Sequence, residues 1–223
     1  GLVNARNALT QTHAPERPTY AVLYDATSGA QLKSMSLTAD AKYLFKGLSD
    51  GTYFVFAGEG EGVDGAIAEP GLRWAALGGT ALTPKVVTVS GAGTYGGQLT
   101  LSLPSEREPN DDARAANRLM LGGYAVGRLN SELDIDRYVV TVPAGEYVFE
   151  TAGWSGACGY ALDADTILEV YAPDGTLVGS SDDNDGNRLN YCSRVEAKLP
   201  AGTYTLVLGG YWGGTYRVMA YRK

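Results

Sequence analysis

The sequence predicts an all-β protein, with two β-sandwich domains in tandem preceded by a short N-terminal helix. Glycine makes up 30 of the 223 residues and tyrosine 15, and such a composition is typical of short strands joined by tight turns. Alternating apolar segments such as TYAVLYD (19–25) and DRYVVTV (136–142) recur at the spacing of a sandwich. A chain of this length favours two domains.

Three segments follow from the order of these patterns. Residues 1–12 (GLVNARNALTQT) form the helix candidate, and the prolines of HAPERP mark a linker, so residues 1–17 precede the first domain. Strand-like segments separated by turns predict the first sandwich at 18–103 and the second at 104–223. Within the second, residues 113–121 also fit a short helix, with Asp111 or Asp112 as its N-cap.

A tripeptide, Gly-(Thr/Glu)-Tyr, recurs along both domains. Its copies lie at 51–53, 93–95, 145–147, 202–204 and 214–216. We interpret it as a turn glycine followed by a strand that begins with a half-buried tyrosine; a tyrosine-lined ligand surface is the alternative.

Composition excludes several functions. The net charge is −7 and the pI about 4.8, so the basic stripe that binds nucleic acid is missing. No apolar run approaches the ~20 residues of a membrane helix. No export signal is visible, although one could precede the abrupt start of the chain. The acidic excess suits a secreted protein or a cation binder.

Cys158 and Cys192 leave two alternatives, a pair of buried thiols or one disulfide. Their spacing is not that of a zinc site, and no histidine lies nearby. Both lie in loop-like sequence where a free thiol would be exposed, which favours the disulfide and an oxidising compartment.

The segment EREPNDD (106–112) has four acidic residues in seven. In an extended or turning chain Glu106, Glu108 and Asn110 project to one side, and Asp111 or Asp112 can turn back toward them. Carboxylate and amide oxygens are calcium ligands, so we expect a calcium site here. A solvated acidic linker is the alternative.

A second acidic segment, SSDDNDGN (180–187), contains Asp182, Asp183 and Asp185. Its order falls short of the EF-hand pattern. It predicts either a polar hairpin loop or a second cation site that also uses Asp165.

Catalytic residues are not apparent. The only histidine is His13, in the proline-rich linker, and no Gly-Thr-Ser nucleophile turn occurs. A Ser-His-Asp triad needs a histidine base, so we expect no hydrolytic activity from this chain alone.

The second half of the chain resembles the bacterial pre-peptidase C-terminal (PPC) domain, which is similar to the collagen-binding domains of clostridial collagenases. The motifs that carry the resemblance are EREPNDD (106–112), Gly127 in AVGRL, DIDRYVV (134–140), DTILEVYAPDGTL (165–177), SSDDNDG (180–186), LPAGTYTLVL (199–208) and GGTYRV (213–218). The resemblance implies a secreted, jelly-roll-like accessory module whose calcium ligands are Glu106, Glu108, Asn110, Asp111 and Asp136. Asp134 is a further or substitute ligand, because Leu133 stands where the family has a second acid.

Two weaker resemblances concern the first half. FKGLSDGTYFVFA (45–57) looks like the carboxypeptidase-regulatory or prealbumin-like sandwiches, and GLVNARNAL (1–9) resembles the last helix of a subtilisin-like catalytic domain. Together with the PPC-like half, they imply the C-terminal region of a secreted subtilisin-like serine protease.

Three functions follow as hypotheses. The chain is a non-catalytic accessory region that partners an upstream protease domain, a binding module for insoluble protein or polysaccharide, or a removable pro-region. The binding module would use loop aromatics as a platform, or these aromatics pack in the core instead. The candidate aromatics are Trp154, Tyr160, Tyr191, Tyr211 and Trp212.

Overall fold

The computed structural model describes residues 2–3, 19–37, 43–59, 73–91, 99, 103–153, 158, 163–183 and 191–223. Within these residues the chain is all-β, as the sequence predicts. The chain divides into two compact units, Gly1–Pro104 and Ser105–Lys223. In the described part, no helix is long and apolar enough to cross a membrane.

The first unit contains a mainly antiparallel sheet around one long strand. Its strands are β1 (Leu2–Val3), β2 (Thr19–Asp25), β3 (Gln31–Ser36), β4 (Phe45–Lys46), β5 (Gly51–Glu59), β6 (Trp74–Ala76) and β7 (Val87–Val89). The main sheet has the order β3-β2-β5-β6, with β7 also pairing with β5, and β1 pairs with β4. Ala21 and Leu23 of β2 and Val55 of β5 are buried in its hydrophobic core, as the two-residue alternation of a strand requires.

The second unit has one five-stranded and one four-stranded sheet in a sandwich-like arrangement. Its strands are β8 (Asn117–Arg118), β9 (Tyr124–Leu129), β10 (Asp136–Val142), β11 (Gly145–Ala152), β12 (Asp165–Tyr171), β13 (Leu177–Ser181), β14 (Arg194–Leu199), β15 (Gly202–Trp212) and β16 (Gly214–Arg222). One sheet has the order β13-β12-β15-β10-β8 and the other β14-β11-β16-β9. All these pairs are antiparallel except β8 with β10.

Alternate residues of the central strands form the core of this unit. Tyr138 and Val140 on β10 are fully buried, as are Leu206 and Leu208 on β15. In the antiparallel register Tyr138 pairs with Leu206, and Val140 pairs with the equally buried Tyr204. The periodicity of DRYVVTV therefore becomes one apolar face.

The recurring tripeptide has a defined structural role at three of its copies. The hydroxyls of Tyr53, Tyr147 and Tyr204 donate to the backbone carbonyl four residues earlier, at 2.8, 2.8 and 3.0 Å. All three rings are buried, so the motif closes the turn before each strand and does not form a ligand surface there. The copy at 93–95 lies outside the described residues.

Two helix predictions differ from the structure. Leu2–Val3, inside the predicted N-terminal helix, form a strand paired with Phe45–Lys46; the remainder of that helix lies outside the described residues. Residues 113–121 contain a turn and then β8 rather than a helix. Tertiary pairing prevails over local propensity in both places, since so short a helix has little stability of its own.

Candidate metal site

The acidic segment EREPNDD lies along the edge of β9 at the start of the second unit. Ser105 forms an isolated parallel bridge with Val126, and the Glu106 amide donates to the Val126 carbonyl at 2.8 Å. This pairing places the Glu106 side chain over β9 and against the neighbouring strands.

The side chain of Asn117 on β8 holds the next residue of the segment. Its Oδ1 accepts from the Arg107 amide at 3.1 Å and its Nδ2 donates to the Arg107 carbonyl at 3.2 Å. Asn117 is buried, and β8 itself pairs with β10. The segment predicted to be a helix therefore holds the acidic segment against the sheet.

The Glu106 carboxylate accepts three hydrogen bonds at the centre of the site and lies close to a further hydroxyl. Its Oε1 accepts from the Arg128 amide at 2.6 Å. Its Oε2 accepts from Tyr138 Oη at 2.7 Å and Asn110 Nδ2 at 3.2 Å, and lies 3.1 Å from Tyr216 Oη. These neutral donors orient the carboxylate without neutralising its charge.

The Asp136 carboxylate, at the start of β10, is fully buried beside Glu106. Its Oδ2 accepts from Tyr216 Oη at 2.5 Å. Its Oδ1 is buried without a hydrogen-bond partner in the described structure, and the same holds for Oδ1 of Asn110. Buried oxygens without a donor are unfavourable unless a cation or water reaches them.

Glu108 completes the group of acids. Its Oε2 accepts from the Asn110 amide at 2.9 Å, while Oε1 lies 3.4 Å from Asn130 Nδ2. One carboxylate oxygen each from Glu106, Glu108 and Asp136 lie within 4.8 Å of one another. Among the described residues, none of these three carboxylates forms a salt bridge. Every ligand candidate is an oxygen atom, which fits calcium.

The remaining predicted ligands of this group lie at its border. Asp134 Oδ2 accepts from the Asn130 amide at 2.5 Å, and the Asp111 backbone carbonyl accepts from Arg137 Nε at 2.7 Å. Both carboxylates still act on the group through their charge, because each raises the pKa of a neighbour.

Burial and mutual repulsion shift the acids of this group toward their protonated forms. Burial raises the pKa of Asp136 to about 8; the Tyr216 hydrogen bond opposes this shift, and the charges of Glu106, Asp134 and Glu108 add to it. Burial likewise raises the pKa of Glu108, with contributions from Glu106, Asp134 and Asp111. A cation at the group would relieve both effects.

We expect the metal-free protein to lose stability as the pH rises from about 4 to about 8. The folded state holds the Asp136 proton more tightly than the unfolded state, so the stabilisation is complete below the unfolded pKa and is lost through the folded pKa. The slope is at most about 1.4 kcal/mol per pH unit for one group. Chemical denaturation in chelator across this range measures it.

The matched control is Asp136→Asn, whose side chain cannot titrate at this position. In this variant the free energy of unfolding should fall less steeply with pH, by the amount that Asp136 contributes in the wild type. Burial also raises the pKa of Asp165, to about 6, so a shallower slope of the same sign remains in the variant below pH 6. Equal slopes for the wild type and Asp136→Asn would contradict the prediction.

A second acidic group is formed by Asp165, Asp182 and Asp183, one carboxylate oxygen of each lying within 4.8 Å of the others. Asp185 lies outside the described residues.

Cys158 and Cys192 form a disulfide, both sulfurs being buried, which confirms the alternative that the sequence favoured.

The predicted aromatic platform is described in part. Tyr211 and Trp212 are 56% and 46% exposed, and the rings of Tyr191 and Trp212 meet edge to face at 5.5 Å. Trp154 and Tyr160 lie outside the described residues.

Sequence reasoning missed the neutral members of the first acidic group. Tyr138 donates to Glu106, and the Tyr216 hydroxyl lies 3.1 Å from Glu106 while donating to Asp136. Asn130 contacts both Glu108 and Asp134. The sequence marks Tyr216 only as one copy of the recurring tripeptide, whereas the structure shows that its hydroxyl, unlike those of the other described copies, contacts side-chain carboxylates.

Comparisons with known proteins give only distant similarities. No family model matches the chain, and a search of curated proteins also gave no match. The solved pre-peptidase C-terminal domain of a collagenase from Bacillus anthracis is 17% identical over 52% of this chain and 99% of that chain, with a TM-score of 0.38. PliG of Aeromonas hydrophila, a periplasmic inhibitor of g-type lysozyme, is 16% identical over 44% and 83%, with a TM-score of 0.30. Similarities this small carry no conclusion about function.

Proposed function

We propose that this chain is a non-catalytic, extracellular accessory region whose second unit is stabilised by calcium. The observation that carries the proposal is the group of Glu106, Glu108 and Asp136, together with the buried and unpartnered Oδ1 atoms of Asn110 and Asp136. Asp136 is buried, Glu106 half-buried and Glu108 exposed, and a buried carboxylate without a counter-charge is unstable unless it is protonated or bound to a cation.

The disulfide supports the extracellular part of the proposal. Disulfides persist in oxidising compartments and are rare in the cytosol. Extracellular calcium is also abundant enough to fill weak sites, with dissociation constants as large as about 10⁻³ M. A calcium site and a disulfide in one unit therefore fit a protein that works outside the cell.

The finer part of the proposal is attachment to a secreted subtilisin-like serine protease. Its support is the sequence resemblance of 105–223 to PPC domains and of GLVNARNAL to the end of a subtilisin-like catalytic domain. In this role the chain stabilises the protease domain or holds it near a large substrate. A pure sample of the chain that released peptides from casein would contradict the non-catalytic assignment.

Calcium should raise the melting temperature of the purified chain by several degrees over that in chelator. Binding to the folded state alone adds about 2.7 kcal/mol when calcium exceeds its dissociation constant a hundredfold. The double variant Glu106→Gln, Glu108→Gln keeps the side-chain shapes and removes two ligand charges, so it should lose the part of this increment that the Glu106 group provides.

The matched control is Glu146→Gln with Asp174→Asn, which removes the same two charges from exposed positions outside both acidic groups. It should keep the full calcium increment. A melting temperature that is equal in calcium and chelator for the wild type would refute the calcium proposal.

A binding module for insoluble protein or polysaccharide is the second candidate function. The exposed Tyr211 and Trp212 favour it, because exposed aromatics supply binding energy at interfaces. Pull-down on collagen, chitin and cellulose should retain the wild type on at least one of them and release Tyr211→Ala, Trp212→Ala. Leu133→Ala is the control, since Leu133 is 85% exposed outside this pair. If the wild type bound to none of the three materials, the binding-module function would be rejected.

A further inference from the structure

The second acidic group is assembled by the register of two neighbouring strands. β12 and β13 are antiparallel, with Leu168 opposite Ser181. The chain that leaves β13 at Asp182 therefore passes beside the beginning of β12 at Asp165. A register shift between Asp165 and Thr166, where β12 pairs with β15, is the kind of irregularity that redirects a side chain out of a sheet.

Ser193 connects the two strands at this point. Its hydroxyl contacts the backbone carbonyl of Thr166 and lies 2.9 Å from that of Asp182, while its amide donates to Thr151 Oγ1 at 2.8 Å. Ser193 is fully buried and follows the disulfide-bonded Cys192. The backbones on both sides of the acidic group are therefore held by buried contacts.

The carboxylate of Asp165 is the buried part of the group, and among the described residues no cationic side chain pairs with it. Asp165 is only 5% exposed, and its Oδ1 is buried with no hydrogen-bond partner among the described residues. Asp182 and Asp183 are exposed, and Asp182 Oδ2 accepts from Tyr211 Oη at 3.2 Å. One buried anion thus faces two further anions.

We propose that Asp165, Asp182 and Asp183 form a second divalent-cation site, filled by calcium, that binds independently of the Glu106 group. The ligands that the described residues offer here are carboxylate oxygens, and the nearby sulfur of Cys192 is held in a disulfide, which disfavours zinc. The two exposed aspartates leave positions for water, as the flexible coordination shell of calcium allows.

The site lies beside an aromatic side chain that can report on it. Trp212 is the register partner of Asp165, and the neighbouring Tyr211 hydroxyl bonds Asp182. Terbium, which replaces calcium at oxygen sites, emits when an adjacent tryptophan is excited. Tryptophan-selective excitation therefore separates this site from the Glu106 group, whose bonded aromatics are the tyrosines Tyr138 and Tyr216.

The test is terbium luminescence of the full chain with calcium competition, beside calcium titration calorimetry. We expect a saturable signal that calcium displaces, and its loss in Asp182→Asn, Asp183→Asn, which alters only exposed side chains. Asp165→Asn should lose the same signal and one equivalent of bound calcium. Glu106→Gln, Glu108→Gln and the exposed control Asp174→Asn should keep the signal.

Each opposite result overturns the proposal. A signal retained in the Asp182, Asp183 double variant, or lost only in the Glu106, Glu108 variant, would place the ion elsewhere. Trp212→Phe should reduce the luminescence and leave the calcium stoichiometry unchanged; undiminished luminescence would contradict a site beside Trp212. Each acidic group has its own variant. If this site does not exist, the Asp182, Asp183 variant binds as much calcium as the wild type; if the Glu106 site does not exist, the Glu106, Glu108 variant does.

Discussion

Replacing Gly127 by alanine should lower the free energy of unfolding of the second unit by about 3 kcal/mol, the upper range for overpacking. A Cβ at this position of β9 would lie 2.3 Å from Cζ and Oη of Tyr216 and 2.7 Å from Oε2 of Glu106. The Tyr216 ring is buried and its hydroxyl bonds Asp136, so it has no free space into which to move.

The same substitution should abolish the part of the calcium-dependent rise in melting temperature that the Glu106 group provides. The added methyl group occupies the place where Tyr216 and Glu106 meet, so the Glu106 carboxylate cannot keep its bonds to Tyr138 and Asn110. Chemical denaturation in calcium and in chelator measures both effects at once.

Gly209→Ala is the matched control for this prediction. Gly209 also lies in a strand of the second unit, on β15, and a Cβ there meets no atom within 4 Å. An alanine in a strand interior is no less favourable than a glycine, so this variant should keep the wild-type stability and calcium response. If Gly127→Ala behaved like Gly209→Ala, the close packing of β9 on Tyr216 would be disproved.

The strands were predictable because their signal is local. TYAVLYD and DRYVVTV are rich in β-branched and aromatic residues and alternate over part of their length, and both form strands with those bounds, Thr19–Asp25 and Asp136–Val142. A two-residue period is a direct consequence of strand geometry, so it needs no knowledge of the partner strand.

Residues 113–121 show where local reasoning fails. A capped turn is present, since Asp112 Oδ1 accepts from the Arg114 amide at 2.7 Å, but the chain then extends into β8. Asn117 bonds the backbone of Arg107 and pairs with Tyr138 on β10. Neither partner can be identified from the composition of the segment itself.

The acidic group was predictable in its charged residues and in Asn110, but not in its tyrosines. Four acids in seven residues are visible in EREPNDD, whereas the Tyr216 hydroxyl that lies against Glu106 comes from a residue 110 positions later. Gly127 is required by that contact, so its role depends on the pairing of β9 with β16 and is invisible before the fold is known.

Removing the disulfide with Cys158→Ala, Cys192→Ala should lower the free energy of unfolding by about 4 kcal/mol in the chain-entropy model. The bond joins residues 34 positions apart, and closing such a loop restricts the unfolded chain far more than the folded one. Both cysteines are buried, so the lost packing of two sulfur atoms adds to the effect.

Denaturant unfolding with and without reductant separates the bond from the packing. Reductant should destabilise the wild type and leave the double variant unchanged, because only the wild type has a bond to reduce. Any stability difference that persists in reductant measures the lost sulfur contacts. If the wild type and the double variant had equal free energies of unfolding without reductant, the disulfide-closed loop would contribute nothing to stability.

The disulfide should also influence the second acidic group through Ser193. Cys192 precedes the serine whose hydroxyl contacts the carbonyls of Thr166 and Asp182, so releasing Cys192 loosens the backbone on both sides of Asp165. Terbium luminescence beside Trp212 should therefore weaken in the cysteine double variant while the Glu106 group keeps its calcium response. Such a selective loss is expected only if the disulfide fixes local geometry in addition to restricting the unfolded chain.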